Sequence, residues 1–275
     1  MRVAVVGHVD YAEFAPVRRV PVAGEIVHAD ETWEAPAGGG GVAAVQLAKL
    51  AGESTFFTAL GDDERGHRAA RELSDLGVHV EAVFRPEPQR RAFVYLDDDG
   101  ERTITVLGGR FGPHSDDPLP WHELADADAV YFTAGDPGAV RAARSARVLV
   151  ATTRALEPLA ESGVELDALL ASAKDAGERY ESGTLDPPPR LVVRTAGADG
   201  GEWEAADGTS GRWEATPLPG PPRDSYGSGD SFHAAFAYAL GAGMPLEEAL
   251  LLAGRAGAAC LTGRGPFEGQ LRDPG

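Results

Sequence analysis

The sequence predicts an α/β fold: a central, mostly parallel sheet flanked by helices, with a small additional β-sheet that we term the lid. Short apolar runs typical of buried strands alternate with helical or loop stretches along most of the chain. Such alternation indicates crossover helices that cover both faces of a parallel sheet. Residues 11–33 and 90–107 break it, with runs typical of edge strands and of a hairpin. We therefore expect one domain over residues 1–275, with the lid formed by residues 11–33 and 90–107 inserted in the α/β core.

The elements of the expected core follow one another in regular order. A first strand is expected over residues 3–6, and the glycines at 38–41 should form a loop before an alanine-rich helix over residues 42–51. A helix over residues 67–76 should end at Gly77, because glycine readily adopts the left-handed backbone that closes many helices. Further strands are expected at residues 54–60, 78–84, 129–132, 148–151 and 191–193.

An acidic turn lies inside the predicted lid. Residues 93–96 and 102–106 flank Asp97-Asp98-Asp99-Gly100, a sequence typical of a hairpin turn. The spacing lacks the later ligands and the closing glutamate of a calcium loop, so we favour the hairpin turn over a metal site.

The composition excludes several functional classes. The 25 basic and 43 acidic residues give a net charge of −18, which argues against a nucleic-acid partner, since nucleic acids are bound through clustered Lys and Arg. The sequence contains no run of roughly 20 apolar residues of the kind that spans a membrane. Cys260 is the only cysteine, so no internal disulfide can form and we expect a cytoplasmic location. An acidic phosphate-handling enzyme stays compatible with this charge, because backbone amides at a helix N-terminus bind phosphate.

The strongest chemical signal is the segment Asp224-Ser225-Tyr226-Gly227-Ser228-Gly229-Asp230-Ser231-Phe232. Apolar residues downstream recur at helical spacing, so the glycines lie in a turn that feeds a helix. The first-turn amides and the helix dipole would stabilise a developing anionic oxygen, and Asp230 beside them could accept a proton from a substrate hydroxyl. The alternative is a plain helix cap, since Asp is common near helix starts. These residues by themselves favour neither interpretation.

The two lysines narrow the means by which the chain could bind phosphate. Neither Lys49 nor Lys174 lies in the Gly-x-x-x-x-Gly-Lys frame of a P-loop, and the motifs of protein kinases are missing. The glycines at 38–41 lack the spacing of a dinucleotide fingerprint. A nucleotide-binding protein of this composition would therefore rely on backbone amides, which the Gly-Ser-Gly-Asp turn supplies.

The same segment resembles the C-terminal signature of the ribokinase-like (PfkB) carbohydrate kinases, whose pattern is Asp-Thr-x-Gly-Ala-Gly-Asp followed by Ser or Thr and Phe. Further segments resemble family motifs in the same order: Gly7-His8-Val9-Asp10, Ala37-Gly38-Gly39 with GDDERG at 61–66, Thr195-Ala196-Gly197-Ala198-Asp199-Gly200, and Thr262-Gly263-Arg264-Gly265-Pro266. The resemblance covers most of the chain and implies a ribokinase-like three-layer sandwich. It also implies an ATP-dependent kinase that phosphorylates a hydroxymethyl group of a sugar or sugar-like molecule.

The resemblance implies a role for each matching residue. Asp230 would be the base, and the amides of Gly227, Ser228 and Gly229 would form the anion hole. The sugar site would be lined by Asp10, Gly38, Gly39 and Ala43, and the nucleotide would be bordered by Thr195, Gly197, Gly200, Ser172 and Gly254. Mg²⁺ would arrive with ATP and be held through water near Asp175. Asp224 and the carbonyl of Tyr226 would match the loop that binds a monovalent cation such as K⁺ in some members.

Several positions depart from the family pattern. Ala43 stands where members usually have a substrate-contacting Asn, and Ser172-Ala173-Lys174-Asp175 stands where the family has Asn-x-x-Glu. Asp175 can replace the Glu, and Glu178 is an alternative acid. These departures favour a rival hypothesis, a catalytically weak or inactive sugar- or nucleotide-binding protein on the same scaffold.

Charged and exposed positions of the lid suggest further partners. Arg90, Arg91 and Arg102 flank the lid and could meet a phosphate on the substrate, although solvated charge on an edge strand is the interpretation we favour. The exposed lid sheet could also pair with the lid of a second copy and give a homodimer.

Overall fold

The computed structural model describes residues 1–29, 31–98 and 100–272. Its strands are β1 (Val3–His8), β2 (Asp10–Pro16), β3 (Trp33–Ala37), β4 (Ser54–Gly61), β5 (Val78–Arg85), β6 (Arg91–Leu96), β7 (Arg102–Leu107), β8 (Ala129–Phe132), β9 (Leu149–Thr152), β10 (Ala168–Ser172), β11 (Leu191–Thr195), β12 (Gly201–Ala205) and β13 (Ser210–Trp213). Its α-helices are α1 (Gly38–Ala51), α2 (Glu64–Asp75), α3 (Pro137–Ala143), α4 (Leu156–Ser162), α5 (Ser228–Gly241) and α6 (Leu246–Cys260).

The large sheet has the strand order β13-β12-β11-β10-β9-β8-β1-β4-β5 in the described part of the chain. The strands from β11 to β5 in this order run parallel, and β12 and β13 add an antiparallel edge. Because side chains alternate between faces, Val3 and Val5 of β1 enter one hydrophobic core while Ala4 and Val6 enter another. The first core includes residues of α1, α2, α5 and α6, and the second includes residues of α3 and α4. The predicted three-layer α/β architecture is confirmed.

The start of α1 differs from the expected loop. The helix begins at Gly38, so the glycines at 38–41 form its first turn. A Cβ on Gly40 would lie only 2.6 Å from the carbonyl oxygen and 2.9 Å from the backbone nitrogen of His8. The glycines therefore let the helix backbone pack directly on β1. Pattern reasoning also missed β10, β12 and β13, and it started α2 three residues late because Asp63, which accepts a hydrogen bond from the Gly66 amide, caps that helix.

The small sheet has the strand order β3-β2-β6-β7. The predicted range 11–33 requires a correction, because its strands are Asp10–Pro16 and Trp33–Ala37, and residues 17–29 hold no strand. One face of this sheet packs on the loop over residues 224–227 and on α1, through a hydrophobic cluster that includes Phe14, Tyr226 and Val42. The hairpin prediction is confirmed by the antiparallel pairing of β6 with β7, although Asp99 of its turn lies outside the described residues. In the described part of the chain, no helix is long and apolar enough to cross a bilayer.

Candidate active site

The carboxyl ends of the parallel strands meet the starts of α1 and α5 at one edge of the large sheet. Asp10 follows β1 by two residues, and Asp230 is the third residue of α5. This edge is where open α/β sheets bind ligands, because the loops and helix N-termini converge there.

The start of α5 is built for an anion. Gly227 precedes the helix with φ of 81°, in the left-handed region that favours glycine. The first-turn amides that follow it have no acceptor within the helix. A Cβ on Gly229 would have no described atom within 4 Å beyond its own helix and chain neighbours, so the first turn borders open space. The predicted anion hole of Gly227, Ser228 and Gly229 therefore has a suitable setting.

Two glycines of α1 bring the carboxylates of Asp10 and Asp230 to one cleft. A Cβ on Gly39 would lie 3.0 Å from Oδ1 of Asp230, and one on Gly38 would lie 3.2 Å from Cγ of Asp10. Since the glycines are neighbours, both carboxylates flank the same turn of α1. Ala43 lies further along α1, has no exposed surface and packs in the core, so its methyl group contributes to packing.

Tyr226 joins the lid to this turn. Its hydroxyl accepts a hydrogen bond from the Gly38 amide at 3.2 Å, and its ring packs edge-on against Phe14 of β2, with ring centroids 5.1 Å apart. The lid, the start of α1 and the loop over residues 224–227 therefore form one packed unit.

Burial is the main influence on the ionisable groups of the cleft. It raises the pKa of Asp230, and the charge of Glu178 adds to the rise. It also raises the pKa of Asp10, against the opposing charges of nearby arginines. His8 has its pKa held well below the usual range by burial and then by the charge of Arg110, so the ring is neutral at pH 7. A carboxylate with a raised pKa is a stronger base than a solvated one, which suits Asp230 to accept a proton.

Arg154 holds the two acids proposed for magnesium binding. Its Nε lies 2.5 Å from Oε1 of Glu178 and its Nη2 lies 2.6 Å from Oδ2 of Asp175. The Glu178 side chain is 15% exposed and that of Asp175 is 47% exposed. Glu178 is the more buried of the two acids, and its charge raises the pKa of Asp230. Ser172 accepts hydrogen bonds from the amides of Lys174 and Asp175 and thereby shapes this loop.

Four of the five residues expected at the nucleotide lie at or after the ends of the adjacent strands β10 and β11, and Gly254 lies within α6. Ser172 and Thr195 are paired at the ends of β10 and β11, and Gly197 lies in the turn that leads to β12. Gly200 and Gly254 also have packing roles: a Cβ on Gly200 would lie 2.0 Å from the carbonyl oxygen of Trp213, and one on Gly254 would lie 2.3 Å from Oγ1 of Thr216.

Asp224 stabilises the loop expected to hold a monovalent cation. Its Oδ1 accepts from the amide of Tyr226 at 2.8 Å and its Oδ2 accepts from the amide of Gly265 at 2.9 Å. A cation bound there would share the carboxylate oxygens of Asp224 with the backbone amides of Tyr226 and Gly265. Across the described residues, no group of three or more His, Cys, Asp or Glu side chains could hold a metal ion. A site at Asp224 would therefore depend on backbone carbonyls such as that of Tyr226.

Comparisons with known proteins agree with this geometry. The sequence matches the pfkB family of carbohydrate kinases over residues 1–181 and 165–271. The chain belongs to this family. Among curated relatives, the "ATP-dependent ribose-1-phosphate kinase" of Halopiger xanaduensis is 29% identical over 258 residues, which are 86% of this chain and 83% of that protein.

Solved pfkB-like structures share the fold at low sequence identity. The ribokinase of Giardia lamblia superposes with a TM-score of 0.80 at 17% identity and covers 98% of this chain and 96% of that one. The Arabidopsis thaliana ribokinase, solved with ribose and ATP, has a TM-score of 0.76 at 22% identity and covers 99% and 96%. The family membership and the fold expected from the sequence are confirmed, and the chain is a carbohydrate kinase by family. The roles of individual site residues stay predictions.

Sequence reasoning missed two arginines of the cleft. Arg110 follows β7 and Arg154 follows β9, and the charges of both act on His8 and Asp10. Neither arginine lies in a motif, and their place in the cleft depends on loops from distant parts of the chain. Their nearness to the ends of predicted strands was the only available signal.

Proposed function

We propose that this chain transfers the γ-phosphoryl group of ATP to a hydroxymethyl group of a sugar or sugar-like acceptor, with Asp230 as the base. The observation that carries the proposal is the position of Asp230 in the first turn of α5. A Cβ atom added to Gly39 would lie 3.0 Å from Oδ1 of Asp230, and the neighbouring Gly38 faces Asp10. A proton acceptor, an anion-binding helix start and a polar acceptor cleft therefore meet at one point.

The reaction follows from this arrangement. The acceptor hydroxyl gives its proton to the Asp230 carboxylate while its oxygen attacks the γ-phosphorus. The bond from that phosphorus to the bridging oxygen breaks, and ADP leaves. The amides of Gly227, Ser228 and Gly229 stabilise the charge on the transferred group, which is the main catalytic requirement of phosphoryl transfer. Closure of the lid would exclude water, the competing acceptor.

The remaining cofactor assignments rest on the donor chemistry. Mg²⁺, bound with ATP, would neutralise phosphate charge, and a carboxylate near Asp230 suits it because Mg²⁺ usually keeps water and takes one or two carboxylates. We propose Glu178 for this position, with Asp175 as the more exposed alternative. Thr195, Gly197 and Ser172 would border the nucleotide, and Asp224 with the Tyr226 carbonyl would hold K⁺.

The names of relatives suggest the acceptors to test. They include an ATP-dependent ribose-1-phosphate kinase, ribokinases and fructokinases. We therefore propose a panel of ribose, ribose 1-phosphate, fructose, fructose 1-phosphate and nucleosides, with ATP consumption as the readout.

Replacing Asp230 with Asn tests the mechanism. We expect kcat to fall by about 10²–10⁴-fold, since a positioned general base contributes that much, while ATP binding measured by calorimetry is kept. Because burial raises the folded-state pKa of Asp230, the ionised group destabilises the fold at pH 7, and the variant should unfold at the same or a higher temperature. Asp75→Asn, at the exposed end of α2, is the matched control. Near-normal turnover by Asp230→Asn would refute the proposed base.

The panel also tests the rival hypothesis of an inactive binding protein. Measurable sugar or nucleotide binding without turnover of any acceptor would favour the rival. Turnover that requires Asp230 would exclude it.

We further propose that two copies pair through the lid. Every residue of β7 is exposed, and Ile104, Val106 and Leu107 each keep more than 40% of their surface exposed. An exposed apolar strand at the edge of a sheet is a ready surface for pairing with a second strand.

A further inference from the structure

A buried histidine lies one turn beyond the proposed base on α5. His233 follows Asp230 by three residues, and side chains at that spacing share one face of a helix. His233 is only 4% exposed, whereas the other buried residues of α5 are phenylalanine, alanine, Ser231 and Gly241. Burying an imidazole costs free energy unless its nitrogens are hydrogen-bonded, so the partners of the two ring nitrogens indicate what this side chain does.

Tyr131 holds one nitrogen of this ring. Its hydroxyl lies 3.0 Å from Nδ1 of His233, and both side chains are buried. Tyr131 belongs to β8, an interior strand of the large sheet, and its ring lies beside the imidazole with centroids 5.9 Å apart. The rigid sheet therefore fixes the position of the His233 ring.

The hydrogen bonds of Tyr131 also assign the tautomer of His233. Oγ1 of Thr152 accepts from the amide of Arg154 at 3.3 Å, and the Thr152 side chain also hydrogen-bonds Tyr131. Thr152 therefore donates its hydroxyl hydrogen to Tyr131, and Tyr131 donates its own to Nδ1 of His233. Burial lowers the pKa of His233, so the ring is neutral at pH 7 and carries its one hydrogen on Nε2.

The second nitrogen, Nε2 of His233, is buried and has no hydrogen-bond partner among the residues that the structure describes. A buried N–H without an acceptor is costly. The carboxylates whose charges act on His233 are those of Glu178 and Asp230, and Oε1 of Glu178 already lies 2.5 Å from Nε of Arg154. Asp230, on the same face of α5, is therefore the acceptor that this hydrogen can reach through one water.

The carboxylate of Asp230 can serve the sugar and His233 at once. It has two oxygens with about four lone-pair sites. A Cβ on Gly39 would lie 3.0 Å from Oδ1, which places this oxygen on the cleft side, and the first turn at Gly229 borders open space. Oδ2 stays available for a hydrogen bond from the interior side of the helix.

We infer that His233 is a positioning residue for the base, and that its Nε2 donates a hydrogen bond, through one bound water, to the carboxylate of Asp230. Tyr131 and Thr152 hold the ring in the tautomer that can donate. The hydrogen bond restrains the rotation of the carboxylate and favours its ionised form, which is the form that accepts a proton. The inference rests on the proposed role of Asp230 as the base.

Other groups also act on the base. Burial raises the pKa of Asp230, the interaction with His233 opposes that rise, Glu178 adds to it, and Arg102 and Arg154 oppose it. His8, whose Cε1 would lie 3.7 Å from a Cβ on Gly39, is kept neutral by burial. Substitutions of His233 leave these other groups in place, so the resulting change in the pKa of Asp230 reports the contribution of His233.

The kinetic test compares two substitutions of His233. His233→Gln keeps an amide nitrogen near the position of Nε2 and can still donate, whereas His233→Leu fills the apolar space and removes the donor. Loss of a donor to the ionised form raises the pKa of Asp230, so the acid limb of the pH profile of kcat/KM should move up by about one pH unit in His233→Leu. His233→Gln should restore most of the wild-type profile.

Two tyrosine variants show whether the ring has to be held. Tyr131→Phe leaves the imidazole without its fixed partner, so the acid limb should move in the same direction by a smaller amount. Tyr238→Phe, further along α5, is the matched control and should keep the wild-type profile. An acid limb that stays in place in His233→Leu, with a lower melting temperature, would show that His233 only packs the helix and would overturn the inference.

A further measurement does not depend on turnover. The ¹³C resonance of the Asp230 carboxyl group, identified by its loss in Asp230→Asn, gives the pKa without acceptor or ATP. A higher pKa in His233→Leu than in the wild type would support the hydrogen bond, and an unchanged pKa would overturn it. Near-normal turnover by Asp230→Asn would instead refute the proposed base and leave the hydrogen bond standing. A crystal structure in which Nε2 of His233 contacts only apolar atoms would also overturn the inference.

Discussion

Gly39 and Gly40 are adjacent in α1, and the structure predicts opposite consequences of adding a methyl group to each. At Gly39, the added Cβ would lie 3.0 Å from Oδ1 of Asp230 and 3.7 Å from Cε1 of His8. The carboxylate would have to move by a few tenths of an ångström, and the methyl group would occupy the face proposed for the acceptor. The backbone of Gly39 is helical, so Ala adds up to about 1 kcal/mol of helix propensity.

We therefore expect Gly39→Ala to separate activity from stability. A misplacement of about 1 Å can cost about 100-fold, so this smaller shift should lower kcat/KM by up to about 100-fold. The melting temperature should stay constant or rise, because about 1 kcal/mol corresponds to about 2–4 °C in a domain of this size. Initial rates of ATP consumption and thermal unfolding followed by circular dichroism measure the two quantities in one buffer.

Gly40→Ala is the matched control for packing. Its Cβ would lie 2.6 Å from the carbonyl oxygen of His8, a backbone atom of β1 that cannot turn away. Overpacking of this kind costs about 1–3 kcal/mol, so the melting temperature should fall. If Gly39→Ala retained wild-type kcat/KM on the true acceptor, the placement of the acceptor between α1 and Asp230 would be refuted.

Two further predictions concern the acid beside the base and the exposed lid. Glu178→Gln removes a charge that raises the pKa of Asp230, so this pKa should fall. The acid limb of the pH profile of kcat/KM should then move to lower pH. Glu181→Gln changes an exposed neighbour and should leave the acid limb unmoved. An unmoved limb in Glu178→Gln would show that Glu178 does not face the base. If the lids pair, the double variant Ile104→Glu, Val106→Glu should halve the mass measured by light scattering, and a wild-type monomer would disprove the pairing.

Local patterns were sufficient to predict the α/β fold class, because most strands and helices are recognised by short-range periodicity. The buried runs that became β1, β4, β8, β9 and β11 are apolar enough to be predicted one by one. The start of α1 was predicted wrongly because glycine has low helix propensity, and here close packing on β1 overrides that preference. The strands β12 and β13 were missed because they form an exposed antiparallel edge with many polar residues.

The segment proposed to carry catalysis could be recognised because its parts are contiguous. The turn at Gly227 and the carboxylate of Asp230 lie within four residues, and the helix that follows has a clear apolar face. Spacing along the chain is enough to predict that such groups meet. Our proposal of Glu178 over Asp175 rests on burial, which spacing along the chain does not contain.

The sequence by itself determined the α/β class, the family and the position of the proposed base. Tertiary structure decided that Asp10 and Asp230 flank one turn of α1, and that the charges of Arg90, Arg110 and Arg154 act on Asp10. Asp10, Arg90 and Arg154 follow β1, β5 and β9 of the large sheet, and a parallel sheet brings such loops together at its carboxyl edge whatever their separation in the chain. The net charge of −18 gave no sign of a positive cluster, because the sign of the field in a cleft depends on which side chains fold into it.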